Sequence, residues 1–331
     1  MSLTTEAQEA DLRGALNRAL RDLARARAKT EDLVDAVYRA VGDAIVANPP
    51  TVTPPPRRDR RKGPEEALWH LTDWQGSKVT NSYTSEIMRQ RVGQFVDKAR
   101  RITEIQRAEH PVRACTIVFG GDMVEGLFNF PSQPYEVDAT IFGQFVTVSR
   151  LIGQVVERAL GIYETVTVVP EWGNHGRIGS KRDSVPRADN IDRMCYEMAR
   201  QLLAHEKRLT WQDCPEDIQR IEIGAYRALA AHGDEAGRNG YISPQAMIAH
   251  VNRWKAGAYP WDFQDVYLGH YHRHAEEPLA NGDAIYWTGS TESDNRYARE
   301  QMAASSRPSQ RLHFIDPEKG RVTAIYKVHL D

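Results

Sequence analysis

The chain is poor in cysteine. Cys115, Cys195 and Cys214 are its only three, odd in number and far apart, with no Cys-x-x-Cys spacing. That argues against a disulfide framework and a thiolate zinc ribbon, and it favours a reducing compartment. Long apolar runs are also missing: none approaches the ~20 residues a membrane span needs. The first residues are polar and lack the apolar core of a secretion signal, so the expectation is a cytoplasmic protein without a membrane anchor. A dominant charge is missing as well. Formal net charge is -2 over 331 residues, so any attraction to a polyanion must be local.

What remains is an ordinary globular composition, 41% hydrophobic and 27% charged, long enough for about two domains or one large domain with an appendage. Residues 1–48 read as a helical arm. Leu12, Leu16, Ala19, Leu23 and Ala26 recur at heptad-like spacing, and Leu33, Val34, Val37, Val41 and Ile45 mark a second helix. The arm is either a hairpin with solvated charges or a surface for homodimerisation, a partner protein or DNA. Residues 49–64 are proline-rich, then basic at Arg57, Arg58, Arg60, Arg61 and Lys62, and read as a linker. From 65 to 331 the pattern is strand, loop, helix, repeated.

Strands are expected at 68–71, 115–119, 165–170, 218–223, 227–231, 266–268, 284–288, 311–315 and 322–328. Helices are expected at 84–107, 138–160, 188–205 and 243–256. The last strands have no helices between them. The fold class is therefore α/β, with layered mixed sheets flanked by helices and a helical hairpin appended at the N-terminus.

The chemistry gathers where strands stop. Cys115-Thr116-Ile117-Val118-Phe119 runs into Gly120-Gly121-Asp122, and four other strand-like runs end in Asp73-Trp74-Gln75, Gly173-Asn174-His175, His232-Gly233 and Gly269-His270-Tyr271-His272. Open α/β sheets place ligands at the carboxyl ends of strands. Asp73, Gln75, Asp122, Asn174, His232, His270 and His272 mix imidazole nitrogen with carboxylate and amide oxygen and include no thiolate. That set suits Mn²⁺, Fe²⁺ or Zn²⁺. It is too large for one tetrahedral ion and sufficient for two sharing a carboxylate, about 3.5–4 Å apart, which can clamp a phosphoryl group.

In order and spacing, Asp73-x-Gln75, Gly121-Asp122, Gly173-Asn174-His175, His232-Gly233 and Gly269-His270-x-His272 resemble the signature of the calcineurin-like metallophosphoesterases, over about residues 65–295. The resemblance implies the corresponding layered fold and two divalent ions, Mn first, with Fe, Zn or Mg as alternatives. It implies that Asp73, Gln75, Asp122 and His272 hold one ion, that Asp122, Asn174, His232 and His270 hold the other, and that His175 is the general acid. Two departures stand out. Gln75 occupies a position that is normally His, which implies a looser first ion. Gly176-Arg177 follow His175 where an acid is usual, so no adjacent carboxylate is expected to orient it and Arg177 could bind a phosphate instead, while Glu125 is expected to stand behind the ligands without binding an ion.

Substrate is the open point. Arg177, Lys181, Arg182 and Arg187 follow His175 and are candidate substrate contacts, and Phe130-Pro131-Ser132 is similar to the SbcD-type repair-exonuclease branch. Together with the basic linker these point to a DNA nuclease. A small-molecule phosphodiesterase or phosphatase is the alternative, and a metal-poor binding module is the third reading.

Overall fold

The structure, a computed structural model, describes residues 54, 56–57, 59–129, 131–179, 187–234, 243–293 and 307–331. The helical arm and residues 49–53, 55 and 58 of the linker lie outside them.

Eleven strands among these residues form two sheets. Glu65–Leu71 (β1), Val112–Gly120 (β2), Thr165–Glu171 (β3), Leu209–Trp211 (β4), Ser309–Asp316 (β10) and Arg321–His329 (β11) make the first, in the order β11-β10-β1-β2-β3-β4. Ile218–Ile223 (β5), Tyr226–Ala231 (β6), Asp265–Leu268 (β7), Ala275–Pro278 (β8) and Ala284–Trp287 (β9) make the second, in the order β5-β6-β7-β9-β8. Both are mixed. β1–β4 are mutually parallel, whereas β10 and β11 pair antiparallel. In the second sheet β6, β7 and β9 are parallel. The layered mixed-sheet fold expected from the sequence is the fold observed.

Side-chain alternation explains the layering. Leu68, Val118 and Val169 point from the first sheet into a core shared with Ile221, Tyr226, Ala228, Tyr267 and Tyr286 of the second. Trp69, one residue on, faces the opposite way and meets Phe95 edge-on at 5.4 Å between centroids. Phe95 belongs to Ser85–Gln106 (α1), which with Ile141–Leu160 (α2) and Ile191–Leu202 (α3) supplies the first sheet's helices. The second sheet's outer face packs Leu229, Val266 and Leu268 on Met247 and Val251 of Pro244–Arg253 (α4).

Caps set the helix starts. Thr84, Thr140, Asn190 and Ser243 are extended, and each accepts a backbone N–H in the first turn. Such capping side chains stabilise a helix start by about 1 kcal/mol. α2 consequently begins three residues later than its apolar pattern suggests. Two strands went unread, β4 and β8, of three and four residues. Both are short and only half-buried, Leu-Thr-Trp and Ala-Glu-Glu-Pro, so neither offers an apolar run or an apolar alternation long enough to read.

Register places the candidate site. Leu71 pairs with Phe119, and Gly120 with Glu171. In the second sheet Ala231 pairs with Leu268, and Leu268 with Trp287. The carboxyl ends of β1, β2 and β3 are therefore level with one another, as are those of β6, β7 and β9.

Candidate metal centre

The loops beyond these ends hold an unusual backbone. Asp73, Gln75, Asp122, His270 and His272 all have positive φ, between 49° and 63°. A residue with a Cβ rarely adopts this conformation, at a cost of about 1–3 kcal/mol, and such strain concentrates at functional sites. The strained turns hold one another. The Asp73 N–H donates to the Gly121 carbonyl at 3.0 Å, and the Gln75 N–H to the Asp122 carbonyl at 2.9 Å. Glycines permit the close approach: a Cβ on Gly173 would strike Asp122 Oδ1, and one on Gly269 would strike Thr72 Oγ1 and the Asp73 carboxylate.

Two groups of side chains converge. In the first, ligand atoms of Asp122, His232 and His270 lie within 4.8 Å of one another. His232 Nδ1 donates to the Gly120 carbonyl at 2.7 Å. This leaves Nε2 facing Asp122 Oδ2 at 3.0 Å. A neutral imidazole would there present a lone pair to a carboxylate, so the pair requires a proton or a cation between them. In the second group, His272 Nε2 lies 3.3 Å from Asp73 Oδ1 while its Nδ1 meets Glu292 Oε2 at 3.1 Å. A carboxylate behind a histidine that faces another acid is the arrangement that orients metal-binding imidazoles.

Gln75 links the groups. Its amide nitrogen is 3.3 Å from Asp122 Oδ2 and 3.4 Å from His272 Nε2. Its Oε1 is buried without a hydrogen-bond partner among the described residues, as is Asn174 Oδ1. A buried oxygen left unpaired is costly, and a cation would satisfy both. For Gln75 this asks only a half-turn of the amide, which exchanges two groups of similar size. Buried acids, imidazoles and orphaned amide oxygens thus fit divalent cations.

Electrostatics agree with a site short of positive charge. Burial pushes the Asp122 carboxyl up, but His232 and His175 outweigh it and hold it well below the carboxylate range. Burial likewise opposes charge on His272, yet Asp73 and Glu292 hold it up at about 10.

His175 is held from behind. Its backbone N–H donates to Asp122 Oδ1 at 2.7 Å, its Nδ1 hydrogen-bonds the Glu125 backbone carbonyl at 3.2 Å and lies 3.2 Å from Glu125 Oε2, and its Nε2 is 3.8 Å from Asp122 Oδ2. No neighbour in sequence supplies a carboxylate to His175; one from elsewhere in the chain stands beside it. Glu125 reaches it from the turn after β2 instead of from the next residue, and Lys78 Nζ secures Glu125 at 3.1 Å. Burial alone would lower the His175 pKa; Asp122 and Glu125 raise it to about 9.

Three acids were not singled out from the sequence. Glu292 lies beyond β9, the same strand-end position as the others, and that signal could have found it. Asp192, in the first turn of α3, accepts backbone N–H groups from Asp122 at 2.8 Å, Met123 at 3.1 Å, Val124 at 3.2 Å and Gly173 at 3.0 Å. It fixes two ligand loops at once, and nothing in its local pattern marks it. Asp234, buried two residues after His232, accepts from Arg177 Nη2 at 2.7 Å and Arg187 Nη2 at 2.5 Å.

The candidate substrate contacts divide accordingly. Arg177 is paired with Asp234, and Arg187 with Asp234 and, at 3.2 Å, with Asp217. Lys181, Arg182 and Phe130 lie outside the described residues. Of the basic linker residues, Arg58 lies outside the described ones, and Arg61 sits elsewhere. Asp59 N–H donates to Glu164 Oε1 at 3.3 Å, and Arg61 to the Arg107 carbonyl at 2.5 Å, beside the amino end of β1. Eight residues of extended chain, at ~3.3 Å each, put that end roughly 25 Å from Asp73.

No family model matches the chain, and no curated protein does. Among solved structures it is similar to zinc-complexed Vps29 of Entamoeba histolytica (10% identity, 80% of this chain and 99% of that one, TM-score 0.34). It is also similar to the sulfate thiohydrolase SoxB of Thermus thermophilus (8%, 82% and 58%, 0.37). A third likeness is to the phosphopantetheinyl hydrolase of Mycobacterium tuberculosis (12%, 73% and 95%, 0.30). Likenesses this distant carry nothing about activity, which must be read from the chain's own side chains.

Proposed function

We propose that the chain is a divalent-metal-dependent phosphoesterase acting on small phosphodiesters. The observation that carries this is the convergence of Asp122, His232 and His270 within 4.8 Å, beside buried Gln75 and Asn174 oxygens without hydrogen-bond partners. Asp122, Asn174, His232 and His270 would hold one ion, and Asp73, Gln75, Asp122 and His272 the other. Mn²⁺, Fe²⁺ and Zn²⁺ match these nitrogen and oxygen donors. Bound there, the ions would supply Lewis acidity to a phosphoryl group.

The remaining steps belong to the protein. His175 stands beside Asp122 with Glu125 behind it, the placement of a group that gives its proton to a departing ester oxygen. Glu292 and Gly120 keep the imidazoles of His272 and His232 turned toward their acids. Asp192 holds the Asp122 and Gly173 turns together.

The small-ester reading rests on charge. Arg177 and Arg187 are matched by Asp234 and Asp217, and Arg61 of the basic linker lies at the far end of the sheet. Two of the three motives for a DNA substrate lose weight in this way, for Arg177, Arg187 and Arg61, and a DNA-directed phosphodiesterase becomes the second reading. Salt separates the two. A protein that contacts many phosphates loses affinity steeply with salt. With Mn²⁺ present, hydrolysis of bis(4-nitrophenyl) phosphate is expected to persist between 50 and 500 mM NaCl, while single-stranded and duplex DNA stay uncut at low salt. Cleavage of DNA that collapses as salt rises would reverse the assignment.

A further inference from the structure

Exposed apolar side chains are concentrated in one part of the chain that is tied to the site. Among the described residues, six large apolar side chains are more than a third exposed. Val79 (36%), Phe128 (44%), Tyr135 (89%) and Phe142 (49%) belong to one structure, while Ile105 and Ile325 lie elsewhere. That structure is the excursion of residues 126–129 and 131–142, up to the start of α2, with residues 76–80 laid against it: the Val79 N–H donates to the Glu136 carbonyl at 2.8 Å, and Lys78 bridges Val137.

The excursion is fastened to His175. Asn129 Nδ2 donates to the carbonyls of Asn174 at 2.5 Å and His175 at 3.1 Å. Gln133 accepts from the Asn129 N–H at 2.9 Å and donates to the Glu125 carbonyl at 2.6 Å. Gln144 accepts from the Gly126 N–H at 2.8 Å. Phe128 therefore adjoins one residue that touches His175, and Tyr135 lies two residues from another. Apolar side chains grouped in the open beside a polar site mark a ligand surface.

Resting on the phosphoesterase reading, we propose that this part of the chain forms a wall of the site, a subsite for a planar ring carried by the substrate, so that the preferred ester joins one phosphate to an aromatic or nucleobase-bearing group. Three of the four exposed side chains are aromatic, which suits stacking. The wall's charge argues against further phosphates. Residues 76–80 and 126–142 contain one basic residue, Lys78. It is engaged by Glu125 and by Glu136, the latter at 2.9 Å. Asp138 adds another acid and accepts the Ser85 N–H at 2.8 Å. A neutral ring is compatible with this wall, whereas a run of phosphates would be repelled.

The test compares two monoanionic diesters that share a methyl leaving group and differ only in the ring, thymidine 5′-(methyl phosphate) and ethyl methyl phosphate, using the full chain with Mn²⁺. Stacking on an aromatic platform is sufficient for about a tenfold effect or more per ring. The thymidine ester is expected to show a KM about tenfold below the ethyl ester at similar kcat. Phe128→Ala with Tyr135→Ala should erase that difference by raising the thymidine KM alone, and Phe128→Tyr with Tyr135→Phe should restore it. Equal KM values for both esters in the wild type would overturn the proposal.

If neither ester is hydrolysed with Mn²⁺, Fe²⁺ or Zn²⁺, the phosphoesterase reading falls. The wall is then judged by calorimetry with thymidine 5′-methylphosphonate against ethyl methylphosphonate. Tighter binding of the thymidine compound that the double alanine variant abolishes supports the subsite, and equal binding rejects it. A double variant that alters only concentration-dependent self-association would assign the wall to a second copy of the chain and likewise overturn the proposal.

Discussion

Asp122 and His175 show why single residues here cannot be understood from their immediate neighbours. A histidine followed by Gly176-Arg177 looks unsupported in the sequence, yet Glu125 Oε2 stands 3.2 Å from its Nδ1. The partner is fifty residues away, and only the meeting of the turns after β2 and β3 brings it close. If Glu125 orients His175 for proton donation, Glu125→Gln should slow esters with poor leaving groups about tenfold to a hundredfold. An activated 4-nitrophenyl ester, which needs little protonation, should lose less than threefold, and metal content should not change. Equal losses on both esters would show that Glu125 acts on something other than His175. The candidate ligands were legible because each lies just beyond a buried strand. Asp192 was not, because its four N–H partners come from chain distant in sequence.

At the scale of elements, the strands that position the site were readable because each is a short apolar run ending in glycine or a polar turn. β4 and β8 lack such runs and were missed. Burial also places acids where no pattern predicts them. Asp265, at the start of β7, is 5% exposed, accepts from Tyr226 Oη at 2.7 Å and from the Ala284 N–H at 2.7 Å, and lies near Asp283 and Lys255. Burial raises its pKa to about 6, the two hydrogen bonds only partly opposing it. Its folded pKa thus exceeds its unfolded one, near 3.9. The stability it contributes is complete below about pH 4 and is lost as pH rises through about 6. Asp265→Asn should therefore match wild type near pH 4 and exceed it by on the order of 2 kcal/mol at pH 7–8. Denaturant melts across that range measure the difference, and a difference that does not vary with pH would contradict the assignment.

For the whole molecule, the decisive feature is the meeting of two sheets. The first contributes Asp73, Gln75, Asp122 and Asn174, and the second contributes His232, His270 and His272. Neither could form the site alone. The order of motifs along the chain made this assembly readable in advance, since five strand ends with ligand chemistry imply sheets that converge. The distribution of charge was not readable, because Arg177 and Arg187 advertise a basic loop whereas the folded chain pairs them with Asp234 and Asp217. Among the described residues no helix is long and apolar enough to cross a membrane.

The central claim is that Asp122 belongs to two cation sites at once, and counting ions tests it most directly. Equilibrium dialysis of the full chain against Mn²⁺, followed by elemental analysis, should find about two ions per chain in the wild type, a stoichiometry that matches a two-ion clamp on a phosphoryl group. Asp122→Asn, which keeps the side chain's shape and removes its charge, should retain fewer than one, with circular dichroism unchanged. Two tightly held ions in Asp122→Asn, or none in the wild type, would contradict the account.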